Sequence, residues 1–319
     1  VTAPTSLDDP AKPPASDWDI DARRRSIQEG AVGVALRLCA LVTVLSTIGI
    51  VVVLGVETVR FFRVSGVGPV EFLAGRTLDP EANRFGIFPL IWGTFVVAIG
   101  SSVIALPIGL LSAIFLSEYA PRRVRSVLKP TLELLAGVPT IVYGYFALLL
   151  VTPTLRAVLD PFGLRVETFN ALSACIVVGI MIIPMVSSLS EDVLSAVPRA
   201  LREAAYGLGA TRFEVATRIV VPAGLSGVVA SFILAVSRAI GETMAVVLAA
   251  GSRPQVTLNP LTSIQTMTAY IVAVTGGEAS YGSPEYLSLF AVGLALFLIT
   301  LALNIASGLV LSRYREVYQ

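Results

Sequence analysis

Six runs of nearly pure hydrocarbon, each long enough to cross a bilayer, set what this chain can fold into. They fall at roughly 35–56, 88–117, 132–151, 170–190, 224–250 and 287–311. A spanning helix needs ~20 apolar residues to cover ~30 Å of hydrocarbon. Of the 319 residues 55% are hydrophobic and 14% charged, with a mean hydropathy of +0.81. A soluble domain averages about a quarter charged. No other architecture buries this much apolar surface at this length, so the expected fold is an all-α membrane bundle of six transmembrane helices.

Positive residues orient the bundle. With the N-terminus inside, fifteen Lys and Arg fall in cytoplasmic pieces, among them Lys12, Arg23–Arg25, Arg122, Arg125, Lys129, Arg199, Arg202, Arg218 and Arg315. Seven fall outside (Arg60, Arg63, Arg76, Arg84, Arg156, Arg165 and Arg253) and Arg238 lies within the membrane. Both termini and the 191–222 loop of this multi-pass membrane protein are therefore expected in the cytoplasm. Residues 1–34 are rich in proline and charge and lack an apolar stretch, so they read as a disordered tail before a membrane domain at 35–319. Cys39 and Cys175 fall in separate spans and are expected to be buried thiols.

The missing residues exclude most chemistry. There is no histidine, which removes the usual metal sites and every imidazole-based catalytic arrangement. The phosphate-binding loop of ATPases needs Gly followed by Lys. The lysines here, Lys12 and Lys129, follow Ala11 and Leu128. Any ATP and Mg must be bound by another polypeptide, and no cofactor or metal site is expected in this chain. No basic-aromatic segment suited to nucleic acid is present.

Between two apolar runs lies a charged segment with strong helix signals. Pro198 suits a first turn, and Gly209 suits a left-handed helix end. Thr211-Arg212-Phe213-Glu214 has the capping-box spacing, and Pro222 is expected to stop the second helix. A connector lying on the membrane surface is one reading of these helices. A docking element for a soluble partner is the other. Glu203-Ala204-Ala205, then three residues, Gly209, nine residues, and Ile219-Val220-Val221-Pro222 resemble the coupling loop of ABC-importer permeases, with Val221 where the pattern usually has Leu. The resemblance favours docking, with Glu203 facing the ATPase or capping the helix junction.

Arg238 and Glu242 lie within the fifth run. Arg238 is ~22 Å in from Ala223 at ~1.5 Å per residue, too deep for easy snorkelling. Charges at such depth face a bundle interior and mark a pathway or a pair. Four-residue spacing predicts that the two share a helix face. One reading is a buried structural salt bridge. The other is an anion site in which the Arg fork matches phosphate oxygens and Glu242 keeps it ionised when empty.

Several motifs together resemble the phosphate-specific (Pst) importer permeases, in their PstC form. Arg238-Ala239-Ile240-Gly241-Glu242-Thr243-Met244-Ala245-Val246 is similar to that family's fifth span. Phe115-Leu116-Ser117-Glu118-Tyr119-Ala120-Pro121, Glu133–Gly144 and Phe297–Asn304 resemble other family segments, and the likeness covers about 85–319. It implies a type I ABC-importer permease (MetI-like) bundle with cytoplasmic coupling helices. It also implies a heterodimer with a PstA-like permease, a PstB-like ATPase dimer below and a PstS-like phosphate-binding protein outside. On that likeness, Arg238, Glu242 and Thr243 line the substrate pathway. Arg202, Glu203, Ala204, Ala205, Gly209 and Pro222 couple to the ATPase, and Gly137 and Pro139 form a hinge. Departures from the pattern are the Pro-rich tail and the excess of Arg over Lys. A gradient-driven transporter and a non-transporting scaffold are the competing classes; the former would carry an inverted repeat, and none is evident.

Overall fold

A computed structural model describes the backbone of residues 17–277 and 279–314, with side chains from 28 to 309 except 31 and 278. Residues 1–16, including Lys12, and Arg315 lie outside the described residues. The chain divides into two compact units, Val1–Val53 and Leu54–Gln319. Helix α1 (Asp17–Ser65) begins well inside the segment expected to be a disordered tail. After Pro14 no proline interrupts it, and Ala, Arg, Gln and Glu favour helix. Apolar side chains on α1 such as Val32, Leu36, Leu41 and Ile48 are exposed, a surface stable only against lipid or protein.

The second unit continues through α2 (Pro69–Ala74) and a two-stranded ribbon, β1 (Leu78–Asp79) and β2 (Arg84–Phe85). Then come α3 (Phe88–Ile114), α4 (Arg122–Ala136), α5 (Thr140–Phe146), α6 (Thr152–Leu159) and α7 (Ala171–Ala196). The remainder is α8 (Arg199–Gly207), α9 (Arg212–Val215), α10 (Val221–Ala223), α11 (Leu225–Ile240), α12 (Met244–Ala250), α13 (Met267–Gly276) and α14 (Pro284–Tyr314). Among the described residues five helical stretches are long and apolar enough to cross a membrane: Gln28–Ser65, Phe88–Tyr119, Thr140–Phe162, Ala171–Ala196 and Pro284–Leu309. The sixth is a bent pair, Arg212–Ala223 with Leu225–Ile240, angled at 73°.

Three expectations change. The third span starts at Thr140 and not near 132, because Arg122–Ala136 forms a separate amphipathic helix with no buried residue. Lys129 and Glu133 on that helix suit an interface better than hydrocarbon. The fifth run is broken at 241–243 between α11 and α12. Of the two thiols, Cys175 is buried while Cys39 is exposed.

Prolines shape the helices in a repeated way. Five-residue π-turns at Phe115–Tyr119, Ala147–Val151 and Ala216–Val220 each end two residues before a proline: Pro121, Pro153 and Pro222. A proline ring crowds the carbonyl four residues back, and the wider i→i+5 turn moves that carbonyl aside. Pro222 therefore does not stop its helix as expected; the helix continues to Ala223 and breaks at Gly224.

The central core joins α3, α7, α11 and α12 through residues such as Val97, Val178, Ile182, Ile240 and Val246. Small residues let α3 and α7 approach closely. A Cβ on Gly109 would lie 2.6 Å from the Val186 side chain. A second cluster gathers Phe61, Phe72, Phe85, Leu90, Met267 and Leu287. A third joins Ala113, Leu194, Val197, Ala205, Val215 and Val228, so α8 and α9 share a core with the membrane helices.

Candidate functional site

Apart from Pro222, the loop between α7 and α11 folds largely as its local signals predict. Pro198 is the N-cap of α8. At its other end Gly209 takes φ +85°, while Gly209 N–H donates to Tyr206 O and Ala210 N–H to Ala205 O. Those two bonds make a Schellman end, which a left-handed glycine permits. Thr211 and Glu214 form the capping box, with both reciprocal bonds present. The Thr211 backbone N–H, and then its hydroxyl, hold the Glu214 carboxyl below its usual range, and Arg218 adds a smaller pull.

The two faces of α8 differ. Ala205 is buried, while Glu203 and Ala204 are exposed. Tyr206, Leu208 at 90% exposure and Phe213 at 68% add large uncovered apolar surface beside them. Such a patch, bounded by Glu203 and Arg199, suits a protein partner.

Arg202, expected from the family likeness to couple to the ATPase, has its guanidinium turned inward. Its Nε and Nη2 donate to Glu118 Oε1 at 3.2 and 3.0 Å. Nη1 donates to Val197 O at 2.5 Å and Nη2 to Leu194 O at 2.7 Å. The side chains of Arg202 and Glu118 are 14% and 5% exposed. One guanidinium thus binds the π-turn closing α3 together with two carbonyls at the end of α7, that of Val197 and that of Leu194, which also accepts from the Val197 N–H. Residues 202 and 203 line one cleft, but Arg202 is bonded into the protein while Glu203 is exposed.

A second charge cluster ties α4 to α7. Glu191, fully buried, accepts from Lys129 Nζ at 2.8 Å, from Arg125 and from Ser195 Oγ. Lys129 also pairs with Asp192. Burial pulls the Lys129 pKa down, but the hydrogen bonds it donates to Asp192 and Glu191, with their negative charge, outweigh it and the net shift is upward.

At the fifth-run break the expected stacking is absent. α11 ends at Ile240, so Arg238 and Glu242 do not share a helix face. Glu242 is buried, and its Oε1 accepts from Ala245 N–H at the start of α12. Its own carbonyl accepts from Thr268 Oγ1 at 2.8 Å. Thr268 and Thr266 hydroxyls are 3.0 Å apart, and Thr94 Oγ1 accepts from Met267 N–H, so a belt of buried hydroxyls surrounds the break. Thr243 precedes α12 and bonds Gly241 O. Arg238 is exposed, and among the described residues it has no ion-pair partner in this chain. Beside it, Ser237 Oγ donates to Asn304 Oδ1, joining α11 to α14.

Gly137 and Pro139 fall at a true break, closing α4 and opening α5. A cleft of about 770 Å³ lined by Arg156, Glu167, Thr168 and Arg253 lies near the opposite end of α7 from Glu191. Sequence reading overlooked Glu118, Glu191, Arg125 and Thr268. The signal for Glu191 was present: an acid at the end of an apolar run, with basic residues in the preceding loop. Nothing local marked Thr268.

The sequence pattern of the binding-protein-dependent transport system inner membrane component matches residues 105–316. A probable ABC transporter permease protein of Bacillus subtilis is 33% identical over 280 residues, 87% of this chain and 89% of the relative. The phosphate transport system permease protein PstC of Xylella fastidiosa is 35% identical over 261 residues, covering 76% and 79%. Among solved structures, a bacterial alginate ABC transporter matches with a TM-score of 0.59 at 15% identity, over 89% of this chain and 94% of that one. The MetNI methionine ABC transporter matches at 0.52 and 14%, over 72% and 94%. These structural likenesses concern the fold.

Proposed function

This chain belongs to the binding-protein-dependent transport system inner membrane components, and from that membership we propose that it forms half of the pathway of an ATP-driven phosphate importer. It is a permease subunit of an ABC importer, a family that works with an ATPase and a binding protein. The phosphate reading draws support from the relatives named PstC and rests on one observation above all. Arg238 is exposed, has no ion-pair partner among the described residues, and lies two residues from the end of α11.

An unpaired arginine at membrane depth is costly unless something anionic visits it or a partner chain faces it. Its planar fork suits phosphate oxygens. With Glu242 turned to the start of α12, Arg238 stays open to a ligand, and Thr243 stands at the same break. A PstA-like permease supplies the other wall, and a PstS-like protein delivers phosphate from outside. A PstB-like ATPase dimer, holding ATP and Mg, docks on Glu203, Ala204, Tyr206 and Leu208 from the cytoplasm, where both termini also lie. Gly209 and Pro222 shape that docking loop. ATP binding draws α8 and α9 inward, and the Gly137–Pro139 break lets α5 follow.

The test is phosphate uptake by the complete importer in proteoliposomes. Arg238→Gln is expected to lower uptake about 100-fold, the scale of one lost charge-assisted contact, with ATPase association intact. Uptake near the wild-type level would sink the anion-site reading.

A further inference from the structure

Resting on the importer reading above, we propose that Arg202 is a positioning residue that carries movement of the docking helix α8 into α3 and α7 through its ion pair with Glu118. Adjacent Glu203 is exposed, where the ATPase would press. Arg202 faces inward, where its guanidinium holds two membrane helices at once. The pair is almost fully withdrawn from solvent, so the salt and water that weaken surface pairs act little here.

Three features make this contact a transmitter as well as a brace. Glu118 sits in the π-turn Phe115–Tyr119, a wide, less regular turn of the kind that allows local adjustment. The helices it reaches, α3 and α7, form the central close-packed pair, where small residues at Gly109 and Gly179 leave no slack. A push at their ends therefore moves both as a unit. Finally, a cleft of about 320 Å³ opens beside the pair, lined also by Arg125 and Arg199. In that cavity Arg199 offers Glu118 a second cation and Glu203 offers Arg202 a second anion, so the contact can switch partners between two discrete arrangements, as coupling between distant sites requires.

The experiment uses the complete importer in proteoliposomes and reads inorganic phosphate moved per ATP hydrolysed, with ATPase association measured alongside. Arg202→Gln and Glu118→Gln are expected to keep association and hydrolysis while the ratio falls about ten-fold, within the usual range of site-to-site coupling. Arg202→Lys retains charge without the fork and recovers part of the ratio. By contrast, Glu203→Lys at the exposed position lowers association. An unchanged ratio in Glu118→Gln with an intact complex would overturn the proposal, even if Arg202→Gln does not assemble. Loss of association in both Gln variants would overturn it too, making the pair a folding element only. Absence of phosphate uptake by the wild type would instead strike the importer reading.

Discussion

The loop at 198–223 and the break at 241–243 draw on the same side chains, arginine and glutamate, and use them in opposite ways. At the loop end every inward charge is answered within the chain: Arg202 by Glu118, and Glu191 by Arg125 and Lys129. At the break Glu242 is spent on the start of α12 and Arg238 is left open. Buried, fully bonded charges hold geometry. An unanswered charge in a membrane helix needs a visitor or a partner chain. The difference separates the frame of this permease from the residue proposed to meet its substrate, although both regions carry Arg and Glu.

The contrast can be broken by variants that should behave oppositely. Removing both cations in Arg125→Ala/Lys129→Ala strands the buried Glu191 and is expected to cost about 3 kcal/mol of stability, at the low end for stranded charges because the Ser195 hydroxyl still donates. Denaturation in detergent measures it. Arg238→Gln should leave the same midpoint within about 0.5 kcal/mol, since no bond within the chain is lost. A large shift there would mean that Arg238 is also part of the frame. Thr268→Val leaves the Glu242 carbonyl without its buried donor and should cost about 1–2 kcal/mol. An unchanged midpoint would remove the hydroxyl belt from the account of the break.

The smallest effects belong to the loop, because its order is local. Thr211→Ala should loosen α9 by about 1 kcal/mol, the usual worth of a Thr cap, seen as faster amide exchange over Arg212–Val215 with an unchanged global midpoint. The Glu214 carboxyl, held below its usual range in the folded loop, supports the cap above its unfolded pKa. That support is lost as pH falls through the folded value. Protection of the α9 amides, their exchange rate relative to the intrinsic rate at each pH, should fall in acid in the wild type. Thr211→Ala keeps the backbone donor and part of that dependence, whereas Glu214→Gln loses it.

What sequence alone determined was set by neighbours along the chain. The long apolar runs required membrane helices, because each run had to leave water whatever its partners. Gly209 and the Thr211–Glu214 box placed the ends of α8 and α9, because caps are made within a few residues. The Gly137–Pro139 hinge came from the family likeness, and the sequence placed it inside a span where the structure has it between α4 and α5. Tertiary structure alone decided the rest. Spacing placed Arg238 and Glu242 on one face, yet the helix ends between them, and Thr268, 26 residues away, bonds the Glu242 carbonyl at that break. Arg202 reads as one more charge beside Glu203 until Glu118, 84 residues earlier, is folded against it. Local hydrogen bonds are written in adjacent residues, whereas the partner of a buried charge is chosen by the packing of helices far apart in the chain.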